Sequence, residues 1–217
     1  KRVLVTVDEV SSQPNMRKFA SAFQLYIREK LPIYLIMTGL YKDIKNLQSS
    51  KNMTFLKRAP RITLAPLQLN MIAKKYESIF GISFEKASKM AKDTNGYSYA
   101  YSLLGNIYWD KNQSVSYEKI VSETKNILED RAYSQIWEEM SEGEKEFVIS
   151  MAEAENLTGR YVKVEEIVNS TLKSPAQINE YKKRLVDAGI ISNPEHGYLG
   201  FVLPFFSETV GRLKMFM

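Results

Sequence analysis

The stretch VLVTVDEV, residues 3–10, constrains the fold more than any other part of the sequence. Its first five side chains are apolar or β-branched, which is typical of a strand and poorly suited to a helix. Apolar residues at both odd and even positions predict a strand buried on both faces, as in a parallel sheet. The strand ends in two adjacent carboxylates, Asp8 and Glu9, which we call the acid pair.

The residues after the acid pair predict an α/β unit over residues 1–67. A helical pattern of apolar residues follows SSQPN and ends at Pro32. IYLIMTG, residues 33–39, predicts a second buried strand that stops at Thr38, and RITLAPL, residues 61–67, predicts a third. Apolar strands alternating with helices are typical of an α/β domain with a parallel sheet.

The character of the sequence changes at residue 68. Helical spacing with almost no β-type alternation extends over residues 68–80, 83–94, 98–109 and 114–139. Gly81 and the TNG at 94–96 are typical of helix C-terminal stops. We therefore expect an all-helical domain over residues 68–139.

The last third of the chain predicts a different domain, spanning residues 140–217. Ser141 and Glu144 form a capping-box pattern, and Ser174 followed by Pro175 is typical of a helix start. Helices are predicted over 141–155, over VKVEEIVNSTL and over 174–188, followed by two short strands around a Pro-Glu-His-Gly turn. Three helices and a two-stranded ribbon predict a winged helix, a variant of the helix-turn-helix. Together with the helices of residues 68–139, they make the chain mostly helical overall.

Composition excludes several classes of site. The sequence has no cysteine, which excludes disulfides and thiolate metal sites and fits a reducing cytoplasm. His196, the one histidine, excludes His-pair metal sites and is interpreted as an exposed turn residue rather than a catalytic one. No apolar run reaches the roughly 18 residues that span a bilayer, so we expect no membrane partner. Because the chain starts at Lys1, without an initiator Met or a signal-peptide pattern, we expect a piece of a longer protein.

The acid pair has two interpretations. The first is a solvated acidic turn that merely ends a strand. The second is a ligand site, because open α/β sheets bind ligands at the carboxyl ends of their strands. Four apolar residues followed by Asp-Glu have the form of a Walker B motif, and Mg²⁺ needs only one or two protein carboxylates.

Five stretches of the sequence, in order and spacing, resemble the AAA+/STAND class of P-loop ATPases that end in a winged helix. They are VLVTVDEV, IYLIMTGL, FLKRAPRITLAPL, TNGYSYAYSLLG and YKKRLVDAGIISNPEHGYLGFVLPFF. The resemblance implies that Asp8 holds Mg²⁺, Glu9 activates water and Thr38 senses the γ-phosphate. It also implies that Arg58 and Arg61 could include an arginine finger for a neighbouring subunit, with ordinary surface arginines as the alternative.

The resemblance extends to the helical domain, which corresponds to the lid of such ATPases. It places Gly96 and Ser98 in the lid segment beside the adenine, although Ser98 stands where the family usually has proline. No arginine lies in that stretch, so a sensor-2 arginine is not evident. The tyrosines at 97, 99, 101 and 108 and Trp109 are interpreted as packed core, with a base-stacking surface as the alternative.

The largest departure from the family is that no GxxxxGK[ST] motif occurs in the 217 residues. In this family that phosphate-binding loop precedes Walker B, and the strand order is 5-1-4-3-2. Residues 1–67 should therefore need the upstream segment, a swapped copy, or a rearranged pairing of 61–65 against 33–38 to close the sheet. ATP and Mg²⁺ are implied as cofactors of the full-length parent, and neither is expected to bind tightly to this chain.

Two functions from different classes follow. The leading one is the C-terminal fragment of an ATP-hydrolysing AAA+/STAND-like protein that couples nucleotide state to a partner. The alternative is a non-enzymatic, DNA-binding winged-helix regulator, with Lys182, Lys183 and Arg184 as contacts. Residues 141–217 carry 9 Lys and Arg against 11 Asp and Glu, a balance of −2 that suits phosphate contacts poorly. A protein partner or self-association is therefore expected first, and DNA second.

Overall fold

The computed structural model describes residues 1–62, 64–111, 115–159, 161–171 and 173–216. The chain divides into two compact units, Lys1–Leu64 and Ala65–Met217, which we call the α/β unit and the helical unit. It is mostly helical with a small amount of sheet, as the sequence predicts. Among the helices of the described ranges, none has the length and apolar character needed to cross a bilayer.

The α/β unit contains the first two predicted strands. Its elements are β1 (Val3–Val7), α1 (Pro14–Arg28), β2 (Ile33–Met37), α2 (Tyr41–Ser49) and a 3₁₀ turn (Thr54–Arg58). The two strands pair in parallel, with Val3 opposite Ile33 and Val7 opposite Met37. Their carboxyl ends therefore meet at the same edge of the sheet.

One face of this small sheet is covered by both helices. A buried cluster in this unit contains Val10, Ala20, Leu47, Met53 and Leu56, and Phe23 of α1 is buried as well. Val7 and Met37, at the ends of the two strands, pack against it. Since Ala20 lies in α1 and Leu47 in α2, both helices lie on the face that carries Val7 and Met37.

The opposite face of the sheet is exposed. Side chains alternate between the two faces of a strand. Leu4, Tyr34 and Ile36 therefore lie on the face opposite to Val7 and Met37. They are 58%, 53% and 52% exposed. The prediction that both strands are buried on both faces is therefore wrong, because within the described residues only one layer of helices covers them.

The third predicted strand, over residues 61–67, does not form in the described part of that range, which omits Thr63. Ile62 and Leu64 are 86% and 90% exposed. A strand is stable only when its backbone groups pair with a neighbour, and the described residues of 61–67 make no ladder with β2. Among the described residues of 61–65, the rearranged pairing with 33–38 is thus not observed.

The first half of the helical unit, residues 65–139, is here called the helical segment. It contains α3 (Leu69–Phe80), α4 (Phe84–Asp93), α5 (Ser98–Asp110), α6 (Tyr117–Leu128), a π-helical turn (Glu129–Tyr133) and α7 (Ser134–Glu139). Gly81 ends α3 in the left-handed conformation, with φ 64°, as its sequence position predicts. The helical spacing predicted over 114–139 is present without a break from Tyr117 to Glu139, with a π-helical turn inside the helix.

The second half, residues 140–216, is here called the C-terminal segment. Its elements are α8 (Glu142–Thr158), β3 (Val162–Lys163), α9 (Val164–Ser170), α10 (Pro175–Asp187), β4 (Ile191–Ser192), β5 (Tyr198–Phe201), α11 (Phe206–Leu213) and a 3₁₀ turn (Lys214–Phe216). Both predicted helix starts are present, with capping boxes at Ser141 and Ser174. The sheet has three antiparallel strands in the order β3-β5-β4, one more than the predicted ribbon.

Candidate functional site

The acid pair and Thr38 lie together at the carboxyl edge of the parallel sheet. Asp8 follows the end of β1 directly, and Thr38 follows the end of β2. The Thr38 hydroxyl donates a hydrogen bond to Oδ1 of Asp8. The backbone N–H of Glu9 donates to the same oxygen at 2.9 Å. The structure therefore brings together Asp8, Glu9 and Thr38, three of the candidate residues chosen from the sequence.

These two donors stabilise the ionised form of Asp8. The Thr38 hydroxyl, followed by the Glu9 N–H, lowers the pKa of the Asp8 carboxyl from its ordinary value of 3.8. A hydrogen bond to the ionised form stabilises that form. Asp8 is exposed to solvent and ionised at neutral pH, so the site offers a fixed anionic oxygen ligand.

The backbone holds the acid pair in place. The parallel ladder continues beyond the strands, because Thr38 N–H donates to the Val7 carbonyl and Val10 N–H donates to the Thr38 carbonyl, each at 2.9 Å. Between them, Glu9 adopts a left-handed conformation with φ 53°, and the chain then returns to the buried side chain of Val10. Non-glycine residues adopt this conformation infrequently, and such residues cluster at functional sites.

Gly39 allows the two strand ends to approach closely. A Cβ at this position would lie 3.1 Å from both Cγ2 and the carbonyl oxygen of Val10. Sequence reasoning noted Gly39 only as the end of a strand. The signal that could have identified its role is the Thr-Gly dipeptide following a buried strand.

The two candidate arginines lie in the α/β unit but do not contact the acid pair. Arg58 is exposed at the end of the 3₁₀ turn. Arg61 donates from Nη2 to Oε1 of Gln48 at 2.6 Å, and Gln48 in turn donates to the Leu56 carbonyl. In the described part of the chain, neither arginine is hydrogen-bonded or ion-paired to Asp8 or Glu9.

Gly96 and Ser98 belong to the helical unit. Gly96 is buried in a left-handed turn with φ 77°, and Leu67 N–H donates to its carbonyl at 2.8 Å. Ser98 is exposed and is the first residue of α5. Of the neighbouring aromatics, Tyr108 is 3% exposed and belongs to the core, whereas Trp109 is 63% exposed.

The three basic residues of α10 have different environments. Lys182 lines an open cavity of about 970 Å³ together with Lys163 of β3 and the turn that contains His196. Two carboxylates, Glu165 and Glu195, line the same cavity and dilute its positive charge. Lys183 is exposed, and Arg184 forms an ion pair with Glu180 one helical turn away.

The donor set at the acid pair fits a hard divalent cation that retains water. Mg²⁺ binds through one or two carboxylates and completes its octahedral shell with water and phosphate oxygens. Asp8 is ionised and held by two hydrogen bonds, as such a ligand requires. Over the described residues, no group of three or more His, Asp or Glu side chains is placed to hold a metal ion.

Comparison with solved structures identifies the fold. The Walker-type ATPase PABY2304 of Pyrococcus abyssi superposes with a TM-score of 0.70 over 97% of this chain at 13% identity. Two weaker matches are Cdc6p of Pyrobaculum aerophilum (TM-score 0.44, 13% identity, 98% of this chain and 66% of that one) and the DNA complex of Orc1 of Aeropyrum pernix (0.41, 12%, 100% and 66%). The chain spans 63% of the length of the Pyrococcus ATPase.

Sequence comparisons cover less of the chain. Residues 130–210 match a domain of unknown function, DUF8462, which extends from the π-helical turn into α11. No curated protein matches the sequence. The structural similarity extends over nearly the whole chain, and the chain therefore has a fold like that of the Pyrococcus Walker-type ATPase.

Proposed function

We propose that this chain is the C-terminal portion of an AAA+/STAND-like protein that binds and hydrolyses ATP and couples nucleotide state to a partner. The observation that supports it most is the hydrogen bond from Thr38 to Asp8 across two parallel strand ends. A solvated acidic turn does not require a polar partner at the end of the neighbouring strand. A site for Mg²⁺ and a phosphate does, because its ligands must be fixed before the anion arrives.

Each residue at this edge has a proposed role. Asp8, ionised and held by two donors, would bind Mg²⁺, which supplies charge neutralisation at the phosphates when bound. Glu9 would orient and polarise the attacking water, and Thr38 would contact the γ-phosphate. Arg58 and Arg61 are proposed to include a residue that acts on a neighbouring subunit's nucleotide, because Arg58 is exposed and Arg61 donates to the neutral side chain of Gln48.

The exposed sheet face supports the proposal that an upstream segment completes the core. Parallel sheets are almost always covered on both faces, and here Leu4, Tyr34 and Ile36 are uncovered. We propose that a segment carrying a GxxxxGK[ST] loop, its following helix and further strands packs there. Its backbone N–H groups and lysine would supply the phosphate cradle that the acid pair cannot provide.

The helical unit has proposed roles as lid and output domain. Residues 68–139 would form the lid, with Gly96 and Ser98 on the nucleotide side. The C-terminal segment runs helix, strand, helix, helix, strand, strand and then a further helix, and the first six elements of this order support the proposal of a winged helix. We assign it first to contact with a protein partner or with another copy of the chain.

The test is a pair of substitutions in a longer protein that includes the upstream GxxxxGK[ST] loop. Glu9→Gln should abolish ATP turnover and leave ATP binding unchanged, because only the group that activates water is lost. Glu29→Gln, an exposed glutamate in the same unit, is the matched control and should leave both unchanged. Full turnover by the Glu9→Gln protein would overturn the proposal.

One observation favours the alternative, a DNA-binding regulator. Lys182 and Lys163 line the same open cavity beside the turn between β4 and β5, where a nucleic-acid backbone could lie. If duplex DNA binds there, Lys182→Ala should weaken binding and reduce the salt slope by about one. Lys119→Ala on α6 is the control. Absence of salt-dependent binding by the chain would exclude this alternative.

A further inference from the structure

The turn at Asn95 and Gly96 joins three parts of the helical unit. Both residues have positive φ, 48° and 77°, so the backbone turns sharply between α4 and α5. The Leu67 N–H bonds to the Gly96 carbonyl, and a Cβ on Gly96 would lie 2.5 Å from the Leu67 oxygen. This turn is therefore in direct contact with the residues at which the helical unit begins.

The side chain of Asn95 attaches the same turn to the C-terminal segment. Its Nδ2 donates to the carbonyls of Phe201 and Val202, each at 2.9 Å. Phe201 is the last residue of β5 and is 7% exposed. A single amide thus fixes the end of a strand more than one hundred residues away in sequence.

A second attachment lies at the π-helical turn. Glu129 accepts hydrogen bonds from Nε of Arg212 at 3.0 Å and from the Thr209 hydroxyl at 3.4 Å, both on α11. Tyr133 donates from its hydroxyl to the Pro204 carbonyl at 2.8 Å. Isolated π-helical turns inside helices are frequent at functional sites, and this one directs Glu129 and Tyr133 toward α11 and the residues that precede it.

The two segments also share a hydrophobic cluster, while the helical segment has a second cluster of its own around Tyr76 and Met90. Buried side chains from both are in a single cluster, among them Ala100, Leu128, Tyr133, Trp137, Phe147, Met151, Phe201 and Phe206. Tyr133 and Phe206, one from each segment, meet edge to face with ring centroids 5.2 Å apart. Close-packed cores transmit displacement because they do not deform continuously.

We infer that the helical segment and the C-terminal segment move as one rigid body, and that the Asn95–Gly96 turn is a contact that joins them. The part of this inference that concerns nucleotide rests on the proposed function, which puts Gly96 and Ser98 on the nucleotide side of the lid. A ligand that displaces this turn displaces β5 with it. If nucleotide changes the affinity of the C-terminal segment for a partner, thermodynamic linkage requires that the partner change nucleotide affinity by the same factor.

The test uses hydrogen–deuterium exchange of the full chain without nucleotide, so its outcome is independent of any ATPase activity. Asn95→Gly keeps the positive φ and removes the amide. Exchange should accelerate about tenfold in peptides covering residues 94–104 and also in those covering 198–206, since two hydrogen bonds are lost. Asn52→Gly is the matched control, because Asn52 also has a positive φ, 67°, but lies in the α/β unit.

Two results would overturn the inference. The first is acceleration in Asn95→Gly confined to residues 94–104 with no change in 198–206. The second concerns the unsubstituted chain. If the helical segment and the C-terminal segment lost their protection from exchange at different temperatures, they would unfold independently of each other. A common transition for both segments, together with the joint response to Asn95→Gly, supports it.

Discussion

Thr38 and Asp8, thirty residues apart in sequence, are joined by a hydrogen bond from hydroxyl to carboxylate at the ends of two parallel strands. Thr38→Val removes this donor while keeping a β-branched side chain. The pKa of Asp8 should then rise toward its ordinary value, because the largest cause of its depression is lost. Titration of the Asp8 carboxyl by NMR measures this directly, with Thr6→Val on β1 as the control.

The same bond gives a pH dependence of stability. The pKa of Asp8 is lower in the folded chain than in the unfolded chain. Its contribution to the stability of the fold is therefore complete above about pH 3.8, the ordinary pKa, and is lost as the pH falls through the pKa of the folded chain. Acid unfolding of the Thr38→Val chain should therefore be less steep in this range than that of the unsubstituted chain. Identical acid profiles would contradict the assignment.

A second prediction concerns nucleotide binding by this chain alone. Asp8 and Glu9 present negative charge to a triphosphate, and the 217 residues contain no GxxxxGK[ST] loop to offset it. We expect no measurable hydrolysis and, at best, ATP affinity in the millimolar range. Isothermal titration calorimetry with Mg²⁺ and ATP is the measurement, and micromolar binding would refute the argument.

The third prediction separates two costs of replacing a glycine at positive φ by alanine: the clash of the new Cβ with a neighbouring atom, and the strain of the backbone conformation itself. Gly96→Ala places a Cβ 2.5 Å from the Leu67 oxygen at a φ of 77°, and should destabilise the fold by about 2–4 kcal/mol. Gly81→Ala is matched in φ, at 64°, but its Cβ has nothing within 4 Å, so about 1 kcal/mol is expected. Chemical denaturation measures both, and equal losses would argue against the close approach.

The fourth prediction tests the exposed sheet face. Ile36→Thr keeps the branched β-carbon and, since Ile36 is 52% exposed, should change the stability of this chain by no more than about 0.5 kcal/mol. Leu47→Ala, in the buried core of the same unit, should cost about 2–5 kcal/mol. In a longer protein with the upstream segment, Ile36→Thr should become clearly destabilising. An unchanged midpoint there would show that the face stays uncovered.

The sequence predicts the meeting of Asp8 and Thr38 better than it predicts the sheet around them. β1, β2 and the meeting of Asp8 with Thr38 follow from local apolar runs and from the geometry of parallel strands. Residues 61–67 have similar composition but form no strand in their described part, because pairing depends on a neighbour and not on the residues alone. The sequence does not predict β3, because Val162 and Lys163 stand at the start of a helical pattern. They form a strand through their pairing with β5.

The contacts of Asn95 show where sequence reasoning stops. TNG indicates a left-handed helix end, and the structure has one there. The two acceptors of its side chain lie 106 and 107 residues further along the chain. No spacing rule connects positions so distant, so a turn residue and a cross-segment attachment look identical in the sequence.

The small core of the α/β unit has a consequence for the lifetime of the protein in a cell. Among the described residues, the buried cluster of this unit is smaller than that of the helical unit, so we expect it to open more often, and each opening would present the apolar β2 strand to proteases and chaperones. A segment that covered the sheet would close this route of degradation. The amount of the protein would then follow the supply of its completing segment, so that unassembled copies are removed by quality control.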